Sequence, residues 1–124
     1  MGKEYVNAIE ESGTDILTPQ YVPAGYTNAY FTFACVFNGE KYNISWETFR
    51  KKYIEFGGDG IYAAWQLVYN EPCFKNNKIG WGKAPIAKNL QRNLMQFTCN
   101  QANPEEILKQ KNCLTETINY FNKI

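Results

Sequence analysis

The chain's clearest chemical potential lies in an aromatic and amide set: Asn28, Tyr30, Tyr62, Trp65, Tyr69, Asn70 and Trp81. Aromatic faces stack on the C–H faces of sugars or on base planes, and neighbouring amides take the hydroxyls. Most such rings belong to cores, but Trp65 and Tyr69 border a long irregular segment, which sets them apart. The carboxylates are scattered. Only Asp59 and Glu71 flank apolar, loop-forming sequence where a proton affinity could shift. Asp59, in a glycine-rich turn, is expected to brace that turn rather than react. Gly58-Asp59-Gly60-Ile61-Tyr62-Ala63 has the spacing of the dinucleotide fingerprint, which needs a strand before it and a helix after it. The expected order here is the reverse, so these glycines read as a helix stop. Lys78 and Lys83 sit in polar loop sequence, where nothing desolvates an amine enough to make it a nucleophile.

The residue counts narrow the chemistry further. There is no histidine, so Ser-His and Cys-His catalysis and His-containing metal sites are excluded within this chain. Cys35, Cys73, Cys99 and Cys113 lack the short paired spacing of structural zinc. Cys35 and Cys99 lie in apolar runs and are expected to act as small core residues. A length of 124 residues supports one domain, and 44% apolar residues with 20% charged exclude a disordered chain. A net charge of +1 gives no electrostatic case for nucleic acid or an anionic membrane as partner. No window approaches the roughly 20 apolar residues of a membrane span, and Met1-Gly2-Lys3-Glu4 opens no secretory signal. The single sequon, Asn43-Ile44-Ser45, is therefore expected to be fortuitous, and a reducing cytoplasm is the expected compartment.

The elements that must position these residues follow from periodicity. Lys3 to Ser12 spaces Tyr5, Ala8 and Ile9 as a helix that stops at Gly13. Thr18 to Gly25 is rich in turn residues. Tyr30 to Phe37 reads as a strand closed by the tight-turn dipeptide Asn38-Gly39. Ser45 caps a helix with Trp46, Phe49, Tyr53 and Phe56 on one face, ended by Gly57-Gly58. Gly60 to Trp65 is a second strand, and Val68 to Gly82 a long loop of the kind that tends to carry function. Pro85 opens a helix presenting Ile86, Leu90 and Leu94 on one side. Met95 to Cys99 is a third strand. Asn103-Pro104-Glu105-Glu106 is a capping box that opens a helix running to about Tyr120, with Ile107, Leu114, Ile118 and Phe121 as its stripe. This order predicts an α+β fold: a small, mostly antiparallel sheet with helices packed on one side.

Val22-Pro23-Ala24-Gly25-Tyr26, followed by Asn28-Ala29-Tyr30, resembles the last part of DegT/DnrJ/StrS-type sugar aminotransferases. So do Ser45-Trp46-Glu47-Thr48-Phe49-Arg50, Gly57-Gly58-Asp59-Gly60-Ile61-Tyr62-Ala63-Ala64-Trp65 and Pro85-Ile86-Ala87-Lys88-Asn89-Leu90-Gln91. The resemblance extends over essentially the whole chain and is nearest to the perosamine synthetase branch. It implies that residues 1–13 are the end of an interdomain helix and 14–124 the C-terminal small domain of a fold-type I enzyme. It implies pyridoxal phosphate (PLP) in the parent enzyme but none for the isolated chain, because the phosphate cup and Schiff-base lysine belong to the large domain. No catalytic residue is then expected here. Many family members carry His-Tyr where Ala64-Trp65 stands and a second histidine at the position of Tyr69, which leaves shape and stacking as the local contribution. The resemblance thus makes Tyr62, Trp65 and Tyr69 the sugar-side residues, with Asn28 and Tyr30 as a second pair. Its implied partners are the large PLP-binding domain or a homodimer mate, a nucleotide sugar, and a second copy through self-association. The alternative is a stand-alone, non-catalytic binding or assembly module derived from such an enzyme.

Overall fold

A computed structural model describes residues 1–63, 67–74, 80 and 82–123, with Tyr62 and Ala63 described by their backbone alone. The first helix, α1 (Gly2–Ser12), buries Tyr5, Ala8 and Ile9 and ends at Gly13, whose φ of 62° is the left-handed stop that glycine adopts without strain. Ser45 opens α2 (Trp46–Glu55) by accepting the Thr48 N–H on its side chain at 3.1 Å. Gly57, at φ 89°, turns the chain out of that helix. Asn103 opens α4 (Pro104–Phe121) by accepting the Glu106 N–H at 2.9 Å. The reciprocal bond of the expected capping box is displaced by one residue, since Glu106 Oε2 accepts from the N–H of Ala102 at 3.0 Å.

Four strands, β1 (Leu17–Pro19), β2 (Thr32–Phe37), β3 (Ile61–Ala63) and β4 (Leu94–Thr98), form one sheet in the order β1-β2-β4-β3. Every ladder is antiparallel. Register aligns Ile61, Phe97 and Phe33 in a row across three strands, with Met95 opposite Cys35. These residues are buried, and they meet Tyr5 and Ile9 of α1, Phe49 and Tyr53 of α2, and Leu114, Ile118 and Phe121 of α4. Ring centroids of Tyr5, Phe33 and Phe97 lie 5.1 to 5.9 Å apart, and Tyr53 meets Phe97 edge-on at 5.5 Å. The fold is α+β, with these helices on one face of an antiparallel sheet. Because α1 supplies part of this core, it is integral to the packed unit.

Three local expectations change in the structure. The turn-rich stretch after Gly13 contains β1, whose Leu17 pairs with Phe37; Pro19 is tolerated because β1 is an edge strand. Tyr30 and Phe31 precede β2 instead of starting it, and Phe31 is 97% exposed. Asn38-Gly39 makes no hairpin; it opens a 3₁₀ turn over Gly39–Tyr42, and Asn38 Nδ2 donates to the Asp15 carbonyl and to Thr18 Oγ1, both at 2.9 Å. The expected strand at 60–65 is described as Ile61–Ala63, positions 64 and 65 lying outside the described residues.

The remaining helix, α3 (Pro85–Asn93), has its predicted proline at the start but buries nothing. Ile86 is 83% exposed and Leu90 is exposed as well. The second face of the sheet is likewise open in part: Ala34, Val36, Leu94 and Gln96 alternate with the core residues and are half-buried.

Candidate functional site

The sequence points first to the entry of β2. Asn28 Oδ1 accepts the backbone N–H of Tyr30 at 2.9 Å, and this short turn holds Tyr30 at φ 50°. A bulky residue in the left-handed region carries strain of about 1–2 kcal/mol, so something must hold it. The Tyr30 ring provides that hold. It lies over Gly2, where an added Cβ would sit 2.2 Å from the ring's Cγ, and its centroid is 6.2 Å from that of Phe33. Asn28 Nδ2 also donates to Gln20 Oε1 at 3.3 Å, and the Gln20 N–H donates to the Ala34 carbonyl at 3.2 Å. Gln20 in turn borders a cleft of about 280 Å³ on the open side of the sheet, walled by Pro19, Ala34, Val36 and Leu94. Asn28 and Tyr30 are thus brought together, with Asn28 one hydrogen bond from this apolar cleft.

The other sequence-derived residues are placed elsewhere. Tyr62 pairs with Gln96 in the β3–β4 ladder, which puts its position in the same row as Ala34. Tyr69 is half-buried in a 3₁₀ turn over Val68–Asn70, and a Cβ on Gly80 would lie 3.9 Å from its ring. Trp65, Trp81 and Lys78 lie outside the described residues. Asn28 bonds to Gln20 and to the Tyr30 N–H, and the Tyr30 ring meets Phe33.

Asp59 braces its turn. Its Oδ2 accepts from Gln101 Nε2 at 3.0 Å and Thr98 Oγ1 at 3.4 Å, so the carboxylate ties the approach to β3 to the end of β4. The glycine-rich fingerprint is inverted, running from α2 into β3, and offers no helix N-terminus to a pyrophosphate.

Periodicity failed to single out Gln110. It is 2% exposed on the inner face of α4, and its Oε1 accepts from Tyr53 Oη at 2.6 Å and from the Asp59 N–H at 2.8 Å. Tyr53 Oη also lies 3.4 Å from Tyr5 Oη. One amide oxygen therefore joins α2, α4 and the entry to β3. Its signal was available: Gln110 precedes Cys113, Leu114, Thr117 and Ile118 at helical spacing, so a polar residue occupies a core position. Burial pushes the phenols of Tyr5 and Tyr53 well above the ordinary tyrosine value, which keeps both as neutral hydrogen-bonding groups.

None of the described lysines fits the Schiff-base role. That role needs an amine desolvated enough to lose its proton, whereas Lys52 and Lys111, the two that are half-buried, are driven the other way. Glu55 accepts from Lys52 Nζ at 2.6 Å and Glu11 from Lys111 Nζ at 3.2 Å, and these bonds raise both pKa values. The four cysteines are free thiols; Cys35 and Cys113 are buried, Cys99 is half-buried and Cys73 exposed. Burial pushes the Cys35 thiol far up, so it is inert core. Among the described residues no group of three or more carboxylates and thiols could hold a metal ion, and no helix is long and apolar enough to cross a membrane. No protein-family model, curated protein or solved structure matches the chain.

Proposed function

We propose that the chain is the C-terminal small domain of a PLP-dependent nucleotide-sugar aminotransferase, acting in the cytoplasm. In this reading it walls part of the sugar pocket with Tyr62, Trp65 and Tyr69 and docks on a large PLP-binding domain or a dimer mate. The order of the sequence motifs supports the family. The observation that carries the docking role is the asymmetry of the fold. One face of the sheet is closed by α1, α2 and α4, while the other leaves Ala34, Val36 and Leu94 half-buried and α3 presents Ile86 at 83% exposure. Apolar surface of that kind in a small domain is characteristic of an interface. In this reading the Schiff-base lysine and the aldimine chemistry belong to the large domain.

The test is reductive trapping. Incubating the chain with PLP and then borohydride is expected to give no single-site lysine adduct and no amino transfer. One specifically modified lysine with transamination would place the catalytic group here and overturn the reading. Sedimentation velocity tests the docking face. Self-association is expected at high concentration and should be abolished by Ile86→Asp; a monomer at every concentration argues against it. The second reading is a stand-alone binding or assembly module. It predicts nucleotide-sugar-independent assembly by the purified chain.

A further inference from the structure

We propose that a second cleft, beside the start of α2, binds an uncharged saccharide ring. The cleft has a volume of about 510 Å³, within the range of small-molecule sites. Elements distant in sequence close it: Glu40 comes from the 3₁₀ turn after β2, Trp46 and Glu47 from the first turn of α2, and Arg92 and Asn93 from the last turn of α3. Among the described residues none of Glu40, Glu47 and Arg92 forms an ion pair, so their hydrogen-bonding capacity is unspent around a shared cavity. Trp46 is half-buried, and its indole Nε1 is buried with no hydrogen-bond partner.

The combination selects the ligand's chemistry. Indole offers a flat apolar surface to the C–H groups of a sugar ring. Carboxylates accept hydroxyl protons, and the guanidinium and amide donate to hydroxyl and ring oxygens. Two carboxylates against one guanidinium leave the rim net negative, which repels phosphate. The ligand is therefore a saccharide without phosphate, either a free monosaccharide or the terminal residue of a glycan. This inference is independent of the aminotransferase reading and would survive its failure.

The experiment is a 15N-HSQC titration of the full chain with glucose, galactose, mannose and N-acetylglucosamine, and with their methyl glycosides as mimics of a glycan terminus. The three tryptophans give three indole signals. Trp46→Phe assigns the relevant one, and Trp65→Phe with Trp81→Phe assigns it equally if the first variant does not fold. The Trp46 signal is expected to shift on addition of at least one sugar at ~1 mM, a weak-site affinity. Glu47→Gln should weaken that binding about tenfold, through one lost charge-assisted hydrogen bond, with an unchanged Tm. Equal binding of sugar and methyl glycoside identifies a glycan terminus, and loss on methylation identifies the free sugar. The proposal is overturned if the Trp46 signal stays fixed with every sugar up to roughly 50 mM, far above weak-site affinities. It is equally overturned if glucose 1-phosphate binds more tightly than glucose, or if neither Glu40→Gln nor Glu47→Gln alters the affinity.

Discussion

Replacing Gln110 by Ala tests whether one buried amide oxygen holds the two halves of the core together. The substitution removes the acceptor for Tyr53 Oη and for the Asp59 N–H. Tyr53 is 0% exposed, so its hydroxyl is stranded away from water, with only the 3.4 Å approach to Tyr5 Oη remaining. Two net hydrogen bonds at ~1 kcal/mol each, plus the desolvation of a stranded donor, give an expected loss of about 3 kcal/mol. For a domain of 124 residues that corresponds to a fall in Tm of about 10 °C. Urea unfolding followed by far-UV circular dichroism reads the change as a lower midpoint with an unchanged m-value. The diagnostic variant is the double substitution Gln110→Ala/Tyr53→Phe. Once the hydroxyl is gone there is nothing left to strand, so the double variant should be more stable than the sum of the singles implies by about 1–2 kcal/mol. Strict additivity, within about 0.5 kcal/mol, would refute the reasoning, because it would mean that the two side chains do not share a buried bond.

Other perturbations follow from the same geometry. Gly58→Ala should destabilise by about 1–3 kcal/mol, because its Cβ would stand 2.4 Å from the ring of the fully buried Tyr53. Thermal unfolding reads it, and an unchanged Tm would show that the turn yields freely. Asn103→Ala should cost about 1 kcal/mol through the lost cap on the Glu106 N–H, with a loss confined to stability and visible in the urea midpoint. Stability should also fall on the alkaline side. Burial raises the pKa of Cys35, Tyr5 and Tyr53 in the folded state, so the native chain keeps protons that the unfolded chain releases above about pH 8.5 for Cys and pH 10 for Tyr. The stability these groups supply is full below those values and declines above them, at up to about 1.4 kcal/mol per pH unit for each. Urea midpoints between pH 7 and 11 should fall, and Cys35→Ala should flatten the first part of the decline. A flat profile across that range would contradict the burial assigned to these groups.

Local chemistry settled the parts of the chain whose causes lie within a turn or two. The stops at Gly13 and Gly57 and the caps at Ser45 and Asn103 are legible in the sequence, and the apolar stripes of α1, α2 and α4 meet the core except at their ends, where Phe56 is exposed and Ile107 stays half-buried outside it. The turn setting of Asp59 marked it as a bracing residue, but its donors, Thr98 and Gln101, lie 39 and 42 residues away and were supplied by the fold. The candidate site was only partly legible. Asn28 and Tyr30 were visible as residue types, but the left-handed backbone at Tyr30, set by the Asn28 turn, is also held by the packing of its ring over Gly2, 28 residues away in sequence. The cleft lined by Glu40, Trp46 and Arg92 likewise required three separate elements to converge.

Tertiary structure alone decided which face of the sheet became core and how the strands were ordered. The β1-β2-β4-β3 order rests on pairings such as Phe33 with Phe97, whose partners lie too far apart for any local preference to specify. It also turned Leu17–Pro19 from a connector into an edge strand, because Phe37 was there to pair with Leu17. Helical spacing by itself determined that α3 would be amphipathic. That its apolar side faces solvent was decided by the packing of the other three helices on the opposite face, where the large aromatic side chains bury the most surface. Periodicity fixes what a segment can bury, and only the assembled fold determines whether anything is there to bury it against.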